Sequence, residues 1–467
     1  MKSFIGQLFF GVSILILLAL IAVVSAGELF AGFEYSPRHS LGKLFCNFSE
    51  ERGIFSENQE KSFSQPFSNL LAAIQISRQQ IINSWNAKES PDNYVYGEFF
   101  EGLAVIGVKK DGHRQYGYID KTGRMAIKPQ FDFAANFHGG IAKVGVYRND
   151  GKLRFGYINH TGKTVIPLKF LFMDEFSEGL AVAGVTSILP DFSGTKYGFL
   201  DLKGRWVISP IYDFAGAFSG NRAVVGVRTI NGNMKYGYID GKGRYVVKPS
   251  YDRAYAFTED LAPVGIKTVQ LKKSEIGYFG FINRRGELVI EPVFQSVKGF
   301  KEGLAVFQGN NQKFGYINSK GKIVIAPVFE SAELFENGLA IVSILKEGNI
   351  KYGLIDKMGQ FLVQPQFDQI TGFSEGLARV SRSGLFGFIN RKGKTVIKPR
   401  YEAAGSFLEG LAMVRWKGKY GYIDRRGIMV IAPRFERADQ FSDGLAFVSD
   451  EKKSGYINKS GMFVFGF

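Results

Sequence analysis

The sequence predicts an all-β protein made of about ten tandem three-stranded β-meanders. These would stack as an open β-solenoid or superhelical array, or close into a propeller-like ring, after an N-terminal export segment and a short helical region. Three observations carry the prediction. A segment of the general form aromatic-Gly-aromatic-Ile-Asx recurs, with its central glycine at Gly117, Gly156, Gly198, Gly237, Gly280, Gly315, Gly353, Gly387, Gly421 and Gly455, a period of 34 to 43 residues. Self-similarity at that period marks a repeat architecture. Every copy then places Gly three residues after the Asx, from Asp120 and Gly123 to Asn458 and Gly461, and an apolar run ending at or near a proline follows.

In chain order, Lys2 precedes an uncharged, mostly apolar run from Ser3 to Ala26, with Val24-Ser25-Ala26 offering small residues for a signal peptidase. Residues 1–26 therefore read as a signal peptide or, since the run is just long enough to span a bilayer, as an N-terminal membrane anchor. Residues 27–95 share nothing with the repeat. Within them Leu70, Leu71, Ile74, Ile81, Ile82 and Trp85 are spaced as on an amphipathic helix near residues 68–88, expected to cover the first repeat. Pro91 marks the boundary, and the repeat array occupies residues 96–467.

Within a repeat, Tyr116-Gly117-Tyr118-Ile119 alternates as a strand does. Asp120 to Gly123 is turn chemistry: the Asx side chain accepts from the turn backbone, and Gly takes the left-handed position of a type I turn with a bulge. The next strand, clearest at Ile323-Val324-Ile325, is expected to be closed by its proline, which lacks a donor. An aromatic such as Phe131 or Tyr401 and a second Phe such as Phe137 or Phe407 then follow. These fit a packed core better than a ligand-stacking ladder. A third strand, such as Leu377 to Val380, completes the unit. The array begins in the second half of a unit and ends in the first half of another, the phase needed if an N-terminal strand were to complete the last module of a ring.

The order aromatic-Gly-Tyr-Ile-Asp, Gly, Val-Ile-x-Pro, aromatic-Asp, Phe-x-Glu-Gly-Leu-Ala-x-Val resembles the WG-type β-repeat (WG containing repeat) of many bacterial exported proteins. Tyr420-Gly421-Tyr422-Ile423-Asp424 through Gly444-Leu445-Ala446 shows the segments in register. The namesake Trp is here Tyr, Phe or, before Gly455, Ser454. The resemblance implies a β-rich repeat scaffold and brings no catalytic residue to carry over.

Chemistry is sparse. The single cysteine, Cys46, excludes an intramolecular disulfide framework and a multi-cysteine metal site. Four scattered histidines form no zinc motif, and half of the turn Asx residues are Asn, which removes the carboxylates a metal site would need. Neither a catalytic residue nor a cofactor or metal is expected. Recurrent Glu-Gly pairs such as Glu178-Gly179, Glu302-Gly303 and Glu409-Gly410 read as exposed turns rather than a ladder of general acids.

One pattern exceeds what turns require. The formal net charge is +16, from 59 Lys and Arg against 43 Asp and Glu, yet the four residues after each turn Asx contain 18 Lys or Arg and one acid, Glu287. Among them are Lys121, Arg124, Lys203, Arg205, Lys242, Arg244, Arg284, Arg285, Lys320, Lys322, Arg391, Lys392, Lys394, Arg425 and Arg426. Equivalent turns of stacked modules emerge on one side, so a basic edge is expected to bind an acidic protein or an anionic polysaccharide of the envelope surface. The expected protein is an exported, non-enzymatic binding scaffold: periplasmic, at the cell surface or secreted, or held to the membrane by residues 3–26. Export argues against nucleic acid. The alternatives are a structural protein that self-associates through its terminal strands and, behind that, a cell-wall glycan enzyme.

Overall fold

The computed structural model describes residues 88–89, 94–110, 112–186, 194–268 and 276–466. The expected export segment, residues 68–87 of the expected helix and Cys46 fall outside the described residues, while Lys88, the last residue of that expectation, lies in the strand Lys88–Glu89. The compact unit that holds the repeats runs from Asn83 to Phe467.

Ten antiparallel sheets follow one another in this unit, each a meander of four consecutive strands; the first carries a fifth, Lys88–Glu89, on its leading edge. The blades span residues 94–131, 133–170, 172–212, 214–251, 253–294, 296–329, 331–367, 369–401, 403–435 and 437–466. The strand missing from the three-stranded expectation is the first of each blade. In most blades it is two residues long, such as Phe133–Ala134 or Ala403–Ala404, too short for an alternating pattern to register. In blades 1, 6 and 8 it lengthens to Tyr94–Phe100, Ser296–Lys301 and Gln369–Ser374.

The proline does not close its strand. Pro129 lies inside the fourth strand of blade 1, Met125–Phe131. The third strand pairs Tyr116 with Phe131 and Tyr118 with Ile127, so the fourth strand bulges by two residues opposite Gly117. A Cβ on Gly117 would stand 2.3 Å from the Ile127 carbonyl oxygen and 2.6 Å from the Pro129 nitrogen. Close backbone approach at the bulge thus requires the central glycine, and proline is tolerated there because a bulged edge strand has no ladder bond to lose at that residue.

Blades bury both faces. Tyr118 of blade 1 packs with Phe137, Ala142 and Val144 of blade 2, whereas Ile119, the next residue, packs with Leu445 and Phe447 of blade 10. Ten such apolar clusters occur, one for each pair of neighbouring blades. An open array of ten would have nine. The tenth joins Tyr96, Phe99 and Ile106 of blade 1 to Leu445, Phe447 and Tyr456 of blade 10, so the array is a closed ring, a ten-bladed β-propeller. Closure exchanges no strand: blade 10 is complete in residues 437–466, and the half-unit phase read from the sequence is the offset between sequence repeat and blade.

The fourth strands are exposed on both sides except at two positions, as in Ile323–Phe329, while second strands such as Ala181–Thr186 are buried over four consecutive residues. The turns between first and second strands touch their counterparts in neighbouring blades (below), which the wide part of a radial array cannot do. First strands therefore lie toward the axis and fourth strands at the rim.

Candidate functional site

In a four-stranded meander the turns joining strands 1 to 2 and 3 to 4 leave on one face, and the 2-to-3 hairpins leave on the other. The first face collects both signatures read from the sequence, the Glu-Gly pairs and the basic Asx turns.

The Asx turns form as expected. Gly123 has φ of +81°, its N–H donates to Asp120 O at 2.9 Å, and Asp120 Oδ1 accepts from the amides of Thr122 at 2.8 Å and Arg124 at 3.0 Å. The Thr122 hydroxyl, with these amides, holds the Asp120 carboxyl below its usual range; the Arg205 amide and guanidinium do the same for Asp201.

The Glu-Gly turns do more than stay exposed. Glu101 and Gly102 have φ of +51° and +83°, both positive as a type I′ hairpin turn demands, and glutamate tolerates that poorly. The compensation is a latch. Glu101 accepts from Gly139 N at 2.6 Å and Gly140 N at 3.0 Å in the equivalent turn of blade 2, and Glu178 accepts from Gly220 N at 2.7 Å and Asn221 N at 2.8 Å. Glu259 reaches Gly303 N, Glu302 reaches Asn337 N and Gly338 N, Glu375 reaches Gly410 N and Glu409 reaches Gly444 N. Asp443 of blade 10 accepts from Gly102 N of blade 1 at 2.7 Å, so the chain of latches crosses the closure. These carboxylates were missed from sequence because their partners lie 35 or more residues away; the recurrence of Glu where φ is positive was the available signal.

All fifteen predicted basic-edge residues are exposed on this face, and they divide by what they touch. Arg205, Arg244 and Arg426 fold back onto the Asp of their own turn at 2.7, 2.7 and 2.9 Å. Lys121 lies 3.6 Å from Asp443 across the closure, and Arg284 binds the carbonyls of Gly220 and Glu259 and the Asp260 carboxylate. Arg124 donates its amide to Asp120. Arg391 lies over the Phe373 ring, and Arg425 stands beside Gly376. Lys203 and Lys242 spend their amides on the turn Asp, and Lys320, Lys322, Lys392, Lys394 and Arg285 border turns whose Asx is Asn. No carboxylate lies within ion-pair distance of these seven among the described residues. Five of these seven border an Asn turn, which offers them no turn carboxylate.

The other face differs. A lysine opening the third strand meets an acid 17 residues on: Lys196 with Asp213 at 2.7 Å, Lys235 with Asp252 at 2.7 Å, Lys351 with Asp368 at 2.5 Å, Lys313 with Glu330, and Lys419 with Glu436. Among the described residues no group of His, Cys, Asp and Glu is placed to hold a metal ion.

A family model, WG containing repeat, matches nine stretches: 116–147, 155–184, 197–227, 236–266, 279–313, 314–345, 352–385, 386–420 and 420–453. The chain belongs to the WG containing repeat family. Each WG repeat starts in the third strand of one blade and ends in the second strand of the next or within a few residues past it, so the sequence unit straddles two blades. No curated protein matches. Among solved structures the chain is similar to the tricorn protease (10% identity, 78% of this chain and 47% of that one, TM-score 0.21). It is also similar to the acylaminoacyl peptidase of Pyrococcus horikoshii (12%, 67% and 56%, 0.31) and to the β-propeller domain of the Trilobed protease of Pyrococcus furiosus (10%, 73% and 97%, 0.29). The chain spans about half the length of the first two. Scores this low carry no argument about activity.

Proposed function

We propose that the ring is an exported, non-enzymatic binding scaffold whose turn face holds an anionic partner, either an anionic envelope polymer or an acidic protein. The supporting observation is the charge difference between faces. On the 2-to-3 face recurrent lysines are matched by acids, while on the turn face Lys203, Lys242, Arg285, Lys320, Lys322, Lys392 and Lys394 have no carboxylate within ion-pair distance among the described residues. Regularly spaced cations of this kind bind polyanions collectively, with affinity that falls steeply with salt.

The test is elution from a heparin column. Reversing Arg285, Lys320, Lys322, Lys392 and Lys394 to Glu together should shift elution to much lower salt with an unchanged circular dichroism spectrum, while Lys322→Glu alone should shift it little. Equal elution of the five-site variant and the wild type would overturn the reading. Salt-insensitive self-association would favour a structural role instead, and hydrolysis of envelope glycans an enzyme.

A further inference from the structure

The latch is an internal carboxylate-binding site repeated around the ring, and at three seams the chain supplies no carboxylate. The residue in the latch position is Gly139 in blade 2, Gly220 in blade 4 and Asn337 in blade 7. The receiving turns of blades 3 and 8 keep the same conformation regardless: in blade 8, Glu375 and Gly376 have φ of +49° and +81°, against +52° and +86° for Glu409 and Gly410, whose turn is latched by Glu375. Two backbone N–H groups are therefore pre-aimed at each of these two seats, whereas in blade 5 Glu259 alone has a positive φ, +54°.

The seat between blades 7 and 8 stands apart because it also keeps its cation. The residue after the turn Asx ordinarily pairs with the latch acid of the preceding blade: His160 with Glu101, Lys357 with Glu302 and Lys459 with Glu409, each at 3.1 Å, and Lys121 with Asp443 at 3.6 Å. At the blade 2 to 3 seam that position is Leu202, and at the blade 4 to 5 seam Arg284 is committed to Asp260 and two carbonyls. At the blade 7 to 8 seam it is Arg391, and the latch position of the preceding blade there holds the amide Asn337 instead of an acid. The Asn337 side chain makes no hydrogen bond to the Glu375-Gly376 turn among the described residues. The Arg425 guanidinium borders the same turn, 3.6 Å from where a Cβ on Gly376 would lie.

Beside this seat a cavity of about 370 Å³ opens, floored by Leu339, Ile341, Leu354 and Phe373, with Glu336 paired to Lys301 at its margin. Arg391 lies over the ring of that same Phe373, at 5.8 Å from its centroid. Of the acids nearby, Glu336 pairs with Lys301, Glu333 pairs with Lys298 at 2.7 Å, and the Glu375 carboxylate is committed to Gly410.

We infer that the seam between blades 7 and 8 is a binding site for an acidic side chain of a protein partner. The partner's carboxylate takes the place that Glu302 takes at its own seam, bridging the N–H groups of Glu375 and Gly376 and pairing with Arg391. A neighbouring apolar residue of the partner enters the cavity. A peptide side chain is favoured because in every filled seat the occupant is a Glu or Asp on a polypeptide, and because the apolar floor adjoins the charged rim. The site reads geometry rather than summed charge, so it does not rest on the polyanion reading.

The probe is an acetylated, amidated pentapeptide with a central Glu flanked by Leu and Phe, titrated calorimetrically against the Asn83–Phe467 unit within the full chain. The Glu peptide should bind at least tenfold tighter than its Gln counterpart. Asn337→Glu, which gives the chain its own latch, should abolish binding while leaving the melting temperature at or above that of the wild type. Asn337→Gln should retain binding, and Arg391→Gln should weaken it about tenfold. Heparin elution of Asn337→Glu should stay close to wild type. Equal affinity for the Gln peptide, undiminished binding by Asn337→Glu, or glutarate binding as tightly as the peptide would overturn the inference. So would a loss of heparin binding in Asn337→Glu as large as in the five-site reversal, which would merge the seat with the basic edge.

Discussion

Two seams of the ring invite comparison. Blade 9 passes to blade 10 through one residue, Glu436, whereas no peptide joins blade 10 to blade 1. Both use the same devices. Tyr422 Oη donates to Asp439 O at 2.6 Å across the first seam, and Tyr456 Oη donates to Gly97 O across the second; Glu409 latches Gly444, and Asp443 latches Gly102. Burial pushes both phenols well above their ordinary pKa, so each stays a donor throughout the physiological range.

The difference is how the rings meet. The tethered seam has its aromatics in separate pairs, Tyr422 against Phe441 at 4.9 Å and Phe435 against Phe463 at 6.3 Å, while the closing seam gathers Tyr96, Phe99, Phe447, Tyr456 and Phe465 in one cluster, with Tyr96 stacked on Phe447 at 5.3 Å and Tyr456 at 5.0 Å from both Phe99 and Phe465. Closing a long chain without strand exchange costs loop-closure entropy, and buried aromatic pairs offset it. The comparison teaches that a packed blade interface can join two blades that no connecting peptide links.

The largest expected effect comes from removing the closing seam. Deleting residues 446–467 should make limited proteolysis attack blades throughout the ring; a remainder as resistant as the parent would show that the tethered seams suffice alone. Next comes a bulge glycine near the tethered seam. Gly421→Val would set a Cβ 2.5 Å from the Ile431 carbonyl oxygen, where backbone must move, and should cost about 3 kcal/mol in chemical denaturation. Gly393→Val meets a methyl of the Val363 side chain at 2.5 Å rather than backbone, together with a φ of +75°, and should cost less, about 1 to 2 kcal/mol.

Tyr456→Phe and Tyr422→Phe sharpen the comparison further. Each leaves a partly or fully buried carbonyl without its phenol and should cost about 1 to 2 kcal/mol. The loss should be larger at the untethered seam, and equal losses would argue that the connecting peptide contributes nothing. The smallest effect is in pH. Asp120 and Asp201 have carboxyl pKa values below the unfolded value, so their contribution is complete above about pH 4 and is lost as pH falls through the depressed pKa. Asp120→Asn should remove that part of the acid sensitivity, read as a flatter dependence of melting temperature on pH, whereas turns that already carry Asn, such as Asn318, contribute none.

Local chemistry was legible in the sequence. The Asx-Gly turn, the third strand and the buried Phe at positions such as Phe137 and Phe407 each depend on residues within a few positions of one another, and the structure places them as read. The exposure of the basic turns was legible too, since turns on a meander must leave its ends. The two-residue first strand was not, because Phe133–Ala134 is defined by pairing with Gly145 and Val144 rather than by any pattern of its own. Pro129 misled for a related reason: a proline that ends an isolated strand can sit within one that bulges against a partner glycine. Which cations remain uncompensated was half legible, in the choice of Asn or Asp at the turn. The sequence by itself determined that the chain is a string of glycine-punctuated β-units with cationic turns, because period and turn chemistry are local. Only the tertiary structure decided that ten units close, that Glu and Asp latches run from blade to blade, and that the blade 7 to 8 seam lacks its carboxylate, because each depends on residues brought together from separate blades.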